Sequence, residues 1–228
     1  ADDEERRRLV AAVSHELRTP LAVTRGHLEL FEAMAGEDPA AAAEVAATTR
    51  AELDRIARIV DDLGAIARGA SGADVVVGPV FAPDVLDELR RRVAGLGLED
   101  VEIADPPPVV VRADEGRLAQ SLLNLVVNAR THTPPGTRVR VTATVEDADG
   151  ATDGGWLVLA VADDGPGFDP AVRDRAFEPF VTTRASGRRS TGLGLPVVKT
   201  LTEAQGGTVE LDTGPSGTTV RIRVRLDA

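Results

Sequence analysis

The 228-residue chain has no cysteine, no tyrosine, one tryptophan and one methionine, and aromatic residues make up only 3% of it. Without cysteine there is no disulfide, no thiol chemistry and no cysteine-ligated zinc, a usage that suits a reducing compartment. The scarcity of aromatics removes the stacking platforms on which single-stranded nucleic acid is bound. A net charge of −11 removes the diffuse basic surface that non-specific nucleic-acid binding draws on. Nucleic acid is therefore not an expected partner, and any anionic ligand must find a local basic or backbone-donor site. No apolar run approaches the roughly 20 residues of a membrane helix, and no signal peptide is visible. No GxxxxGK[ST] string exists, so this is not a P-loop NTPase. What remains is 43% hydrophobic and 28% charged, the composition of a folded chain rather than a disordered one.

The first third is helical in pattern. Val10, Leu17, Leu21, Thr24, Leu28 and Phe31 recur at spacings of three, four or seven, with Ser14 at the weak seam position. His15 falls one residue past that seam and is expected to point outward. Pro20 removes an intrahelical donor and predicts a bend. Gly36-Glu-Asp-Pro39 breaks the pattern. A second helix is expected from about Ala40 to Arg68, with Thr49, Leu53, Ile56, Val60, Leu63 and Ala67 on one stripe. Two such helices make an antiparallel hairpin that leaves an apolar stripe exposed. Pairing two hairpins into a dimeric four-helix bundle would cover it, so a homodimer is expected. Residues 70–74 read as a linker by composition.

Beyond the linker, strands and helices alternate. Strands are expected at Val75–Val77, Val101–Ile103, Val109–Arg112, Arg138–Glu146 and Trp156–Ala162. Helices are expected from Pro83 to about Ala94, from an Asp114 cap to about Thr131, and over Leu195–Gln205. A hairpin of Thr208–Asp212 and Thr218–Leu226 closes the series. The sum is an α+β sandwich, a mixed sheet with helices on one face.

Several strings carry chemistry. Ser14-His-Glu-Leu-Arg-Thr-Pro-Leu21 sets a histidine beside a carboxylate. An imidazole with a pKa of about 6.5 is largely neutral near pH 7 and can act as a nucleophile. Glu16 can orient it or take its other proton. Asn124 and Asn128, four apart, share a helix face, and Asn128 could give an oxygen to Mg²⁺ beside a triphosphate. Satisfied core amides are the plain alternative. Asp163-Asp-Gly-Pro-Gly167 follows a strand, where an Asp and two spaced glycines can hold a base and let phosphates approach the backbone. An Asp-Gly turn accounts for that string equally well alone. Thr191-Gly-Leu-Gly-Leu195 opens a helix, whose first N–H groups suit phosphate. A glycine turn is the alternative there. Between the glycine strings, Arg184-Ala-Ser-Gly-Arg-Arg-Ser190 reads as a basic lid or as a solvated loop. His27 reads as structural or solvated, and His132 as a residue that could touch a phosphate.

Taken together and in this order, these strings resemble the catalytic core of bacterial sensor histidine kinases over nearly the whole chain. SHELRTPL is similar to the phospho-acceptor box, NLVVNA to the Asn box, DDGPG to the first glycine box, Phe177-Glu-Pro-Phe180 to the Phe box and TGLGL to the second glycine box. The resemblance implies a dimerisation and histidine-phosphotransfer hairpin at 1–69, a linker at 70–74, and a catalytic ATP-binding domain of the gyrase/Hsp90/MutL type at 75–228. It implies that His15 is phosphorylated, that Glu16 is its acid/base partner, and that Thr19 orients a water when phosphate is removed from a response regulator. Asn128 would hold Mg²⁺ and Asn124 would lie near the phosphates. Asp163 would accept a hydrogen bond from the adenine amino group. Gly165, Gly167, Gly192, Leu193, Gly194 and Leu195 would line the ATP, Phe177 and Phe180 would anchor the lid, and Arg184 and Arg188 would supply charge from it. Many members carry Lys or Arg and then Tyr where this chain has Thr131 and His132, and Gly where Ser190 stands. The implied partners are a second copy and the receiver domain of a response regulator. The implied place is the cytoplasmic portion of an inner-membrane-anchored sensor whose upstream segment is missing here. A conformational-clamp ATPase without phosphohistidine and a non-enzymatic dimeric scaffold are the alternatives.

Overall fold

The computed structural model describes residue 13 and residues 17–31, 38–69, 75–146, 154–182 and 191–227. Two compact units divide between Gly64 and Ala65.

Helix α1 occupies 17–31 and α2 Pro39–Gly69, the first unit holding α1 and α2 as far as Gly64. Asp38 starts α2, its Oδ1 accepting from the Ala40 and Ala41 N–H groups at 3.1 and 3.0 Å, with Pro39 in the first turn where no donor is lost. Thr24, Ala42, Thr49 and Ile59 are buried, whereas Leu21, Leu28, Phe31, Leu53 and Val60 are exposed. The spacing therefore contains two edges. One is covered within this unit and the other is bare. Pro20 is buried and continues the helix, and of the turn expected at Gly36–Pro39 the first two residues lie outside the described residues.

The second unit runs in the order β1 (Gly78–Phe81), α3 (Ala82–Gly95), β2 (Glu102–Ile103), β3 (Val110–Ala113), α4 (Glu115–His132), β4 (Val139–Glu146), β5 (Trp156–Asp163), α5 (Pro170–Arg173), α6 (Gly194–Glu203), β6 (Thr208–Gly214) and β7 (Gly217–Arg225). Five strands form a mixed sheet in the order β2-β4-β5-β7-β6, with β2 parallel to β4 and the other pairs antiparallel. Alternation decides which face is covered. Leu157, Leu159 and Val161 of β5 stand opposite Val224, Ile222 and Val220 of β7. These side chains join Leu86, Leu89, Leu118, Leu122 and Val198 from α3, α4 and α6 in one core. The residues between them, Arg221, Arg223 and Arg225, point to the other face. There Arg223 pairs with Glu146 and Glu210 at 3.0 and 3.1 Å, and Arg225 lies 5.0 Å from the Trp156 ring centroid.

Two local expectations need correction. Val75–Val77 is not a strand: the Val76 N–H goes to Asp114 Oδ2 at 3.0 Å, and pairing begins only at Gly78, opposite Ala113 in a separate two-stranded ribbon. The short helix α5 was not foreseen, although its signal was present: Asp169 caps it through the Ala171 N–H at 2.8 Å and Pro170 follows directly.

Candidate functional site

Helix α4 contributes the two asparagines. Asp114 is its N-cap, accepting from the Arg117 N–H at 3.1 Å, and the buried face runs through Leu118, Leu122, Leu125, Val126 and Ala129. Asn124 and Asn128 lie beside that face and are half-buried rather than in the core. Asn124 is already engaged within the chain. The Asn128 side chain makes no hydrogen bond among the described residues, which leaves its oxygen open to a ligand. Arg130 is committed elsewhere, to the Thr137 carbonyl at 3.0 Å and to Asp100. His132 is half-buried, and burial pushes its imidazole below the usual pKa, toward the neutral form.

The C-terminal end of α4 meets the first glycine string through Thr133. Its hydroxyl returns to the Ala129 carbonyl at 2.8 Å. Its methyl lies 2.5 Å from where a Cβ on Gly165 would sit, so only glycine fits there. The Gly165 N–H donates to Asp163 Oδ1 at 2.9 Å. Asp163 ends β5 directly opposite Thr218 of β7. Burial raises its carboxyl above the ordinary aspartate range, as does neighbouring Asp164, against the lowering effect of N–H groups from Gly165 and Thr218. Gly167 has a φ of +74°, and a Cβ there would lie 2.2 Å from the Gly214 carbonyl. The loop is thus held by contacts that a larger residue would break.

The second glycine string is latched to the Phe box. The Phe180 N–H donates to the Gly192 carbonyl at 2.9 Å, and Phe180 itself has a φ of +64°. Phe177 packs on the main core. Leu193, buried, stands at the N-cap of α6 without a side-chain cap. The first-turn N–H groups of α6, which opens with Gly194 and the buried Leu195, therefore lack a side-chain acceptor at the cap position and suit an anion.

His15, Glu16, Arg184, Arg188, Ser190 and the linker at 70–74 lie outside the described residues. Thr19 is described, half-buried on α1. Thr133, Thr213 and Thr218 belong to the site's surroundings but were missed in the sequence, where a threonine at a strand or helix end carries no distinguishing pattern. Among the described residues no cluster of three or more His, Asp or Glu side chains could hold a metal ion.

The family model for histidine kinase-, DNA gyrase B- and HSP90-like ATPases matches residues 113–228, and that for the His Kinase A (phospho-acceptor) domain matches residues 5–72. The probable sensor histidine kinase TcrY of Mycobacterium tuberculosis is 40% identical over 228 residues, 97% of this chain and 46% of that protein. The signal transduction histidine-protein kinase/phosphatase MprB of Mycobacterium avium is 35% identical over 227 residues, 95% of this chain and 42% of that protein. The chain thus spans less than half the length of these curated relatives. Full-length ShkA, solved in complex with AMPPNP, superposes with a TM-score of 0.64 at 32% identity, covering 97% of this chain and 46% of that one.

Proposed function

The chain belongs to the histidine kinase-, DNA gyrase B- and HSP90-like ATPase family, with a His Kinase A domain in front, and from that premise we propose that it is the ATP-dependent protein-histidine kinase core of a two-component sensor. Asp163 carries the reading. It is a half-buried carboxylate at a strand end, held by the Gly165 backbone N–H, beside glycines that leave no room for a side chain. That arrangement suits the exocyclic amine of adenine, with the phosphates reaching the uncapped start of α6 along Gly192, Leu193, Gly194 and Leu195. Asn128, whose side chain has no hydrogen bond among the described residues, fits a Mg²⁺ ion beside the phosphates, and that ion would neutralise their charge. Asn124 lies one turn away on the same helix face.

Neutral His15 would then attack the γ-phosphorus of ATP. A nitrogen–phosphorus bond forms, the bond to the bridging oxygen breaks, and ADP leaves. Glu16 accepts or stabilises the imidazole proton, and catalysis is positioning plus charge neutralisation. Arg184 and Arg188 add charge from the segment between the glycine strings. The phosphoryl group passes on to an aspartate of a response-regulator receiver. Thr19, one turn past His15, orients the water for the reverse service, dephosphorylation of that regulator. MprB, a relative, is described as a kinase/phosphatase.

The proposed layout is a phosphotransfer hairpin at 1–69, a linker at 70–74 and the ATP-binding domain at 75–228. The hairpin forms a homodimer through its bare apolar edge. No helix among the described residues is long and apolar enough to cross a membrane; the proposed place of this kinase core is the cytoplasmic portion of a membrane-anchored sensor. Two variants test the chemistry. His15→Ala should bind Mg-ATP but take no label from γ-³²P-ATP, and Asn128→Ala should lose nucleotide affinity. Persistent acid-labile label on the first, or unchanged affinity of the second, removes that residue from its role.

A further inference from the structure

Hydrogen bonds pin the Asp163 loop at both ends. The Gly165 N–H donates to Asp163 Oδ1 at 2.9 Å. At the far end of the same loop the Phe168 N–H donates to Thr213 Oγ1 at 2.9 Å. Thr213 Oγ1 lies 3.0 Å from Thr218 Oγ1. Strand register links the two ends. Thr218 stands opposite Asp163 across β5–β7 and opposite Thr213 across β6–β7, so one residue of β7 neighbours both. The approach is close: a Cβ on Gly217 would lie 2.0 Å from the Asp163 carbonyl.

Thr213 does two things at once here. Its oxygen accepts from Phe168, so one lone pair is spent on the loop. It also shares a proton with the Thr218 hydroxyl, which ties that loop to the strand position directly opposite Asp163. A carboxylate is most selective when its rotamer and both lone-pair directions are fixed, because a misaligned hydrogen bond weakens steeply. We propose that Thr213 is a positioning residue for base recognition, holding the Asp163 carboxylate in the one orientation that accepts an exocyclic amine. Thr213 touches no nucleotide in this scheme. It acts through Phe168 and Thr218, and it rests on the reading of Asp163 as the base acceptor.

The test compares Mg-ATP with Mg-ITP, whose 6-oxo group presents an acceptor where adenine presents a donor. Thr213→Val keeps the side-chain shape and removes both hydrogen bonds. ATP affinity should fall about tenfold, the worth of one charge-assisted bond, while ITP affinity stays level and Thr213→Ser restores the wild-type ratio. Thr218→Val, which keeps its N–H and loses only the hydroxyl, should reduce the ratio in the same sense and serves if the first variant folds poorly. A fall equal for both nucleotides marks general loosening of the hairpin and overturns the proposal. Asp163→Asn separates the two levels of argument. If it leaves the ATP-to-ITP ratio intact, the underlying reading of Asp163 is wrong. If it collapses the ratio and Thr213→Val does not, only the role of Thr213 falls.

Discussion

Asp163 is held at a cost. Its carboxyl pKa is raised chiefly by burial, so the ionised form is worse off in the fold than in the unfolded chain. Between the ordinary aspartate value and that raised value, the folded protein binds more protons than the unfolded one, and stability falls as pH rises. Above the raised value the penalty is fully present. Asp163→Asn keeps an oxygen for the Gly165 and Thr218 N–H groups and removes the charge. It should raise the melting temperature of the nucleotide-free protein at pH 7, with the gain shrinking as the pH is lowered through the raised pKa. No gain at pH 7 would mean that the two N–H groups outweigh desolvation. The half-buried His132 obeys the opposite sign. Its imidazole is held below the usual value by burial, and acidification through the ordinary histidine range should therefore cost stability.

The elements that position these residues were largely legible from short-range rules. The Asp114 cap put α4 and the Gly36–Pro39 break put the start of α2 near where they stand, and in β7 Val220, Ile222 and Val224 alternate with arginines. Val75–Val77 misled because β-branched residues fit a strand, yet the Val76 N–H is taken by a side chain 38 residues away. The link through Thr213 was invisible for the same reason: it depends on register between β5, β6 and β7, which no local pattern encodes. The motif strings stand out individually in the sequence, but the amides of α4 are half-buried, because the core stripe of the helix passes beside them. Asp114 offers a test on this scale. It caps α4 through Arg117, receives the Val76 N–H, and through its own N–H reaches Gln205 Oε1 at 2.6 Å. Asp114→Ala should lower unfolding stability by about 1 kcal/mol or more, while Asp114→Asn should lose far less. Equal losses in urea titrations would assign the effect to charge rather than capping.

For the molecule as a whole, the bare edge of the hairpin is the feature that a partner copy would change: Leu21, Leu28, Phe31, Leu53 and Val60 are all exposed. In the proposed dimer, Leu53→Glu together with Val60→Glu should shift the light-scattering mass from two chains to one without reducing helix content, and a wild-type mass of one chain at micromolar concentration would contradict the dimer. The strand order has a further consequence, for synthesis. β7 lies between β5 and β6, although it is the last of the strands to leave the ribosome. Until residues 217–225 have been made, β5 keeps an unpaired edge, and Asp163 lacks its cross-strand neighbour Thr218. At about 5–20 residues per second, that interval lasts on the order of several seconds. A nascent chain of this kind emerges with its nucleotide pocket half-built, so translation speed through the segment after β5 sets how long an adhesive strand edge is offered to its neighbours.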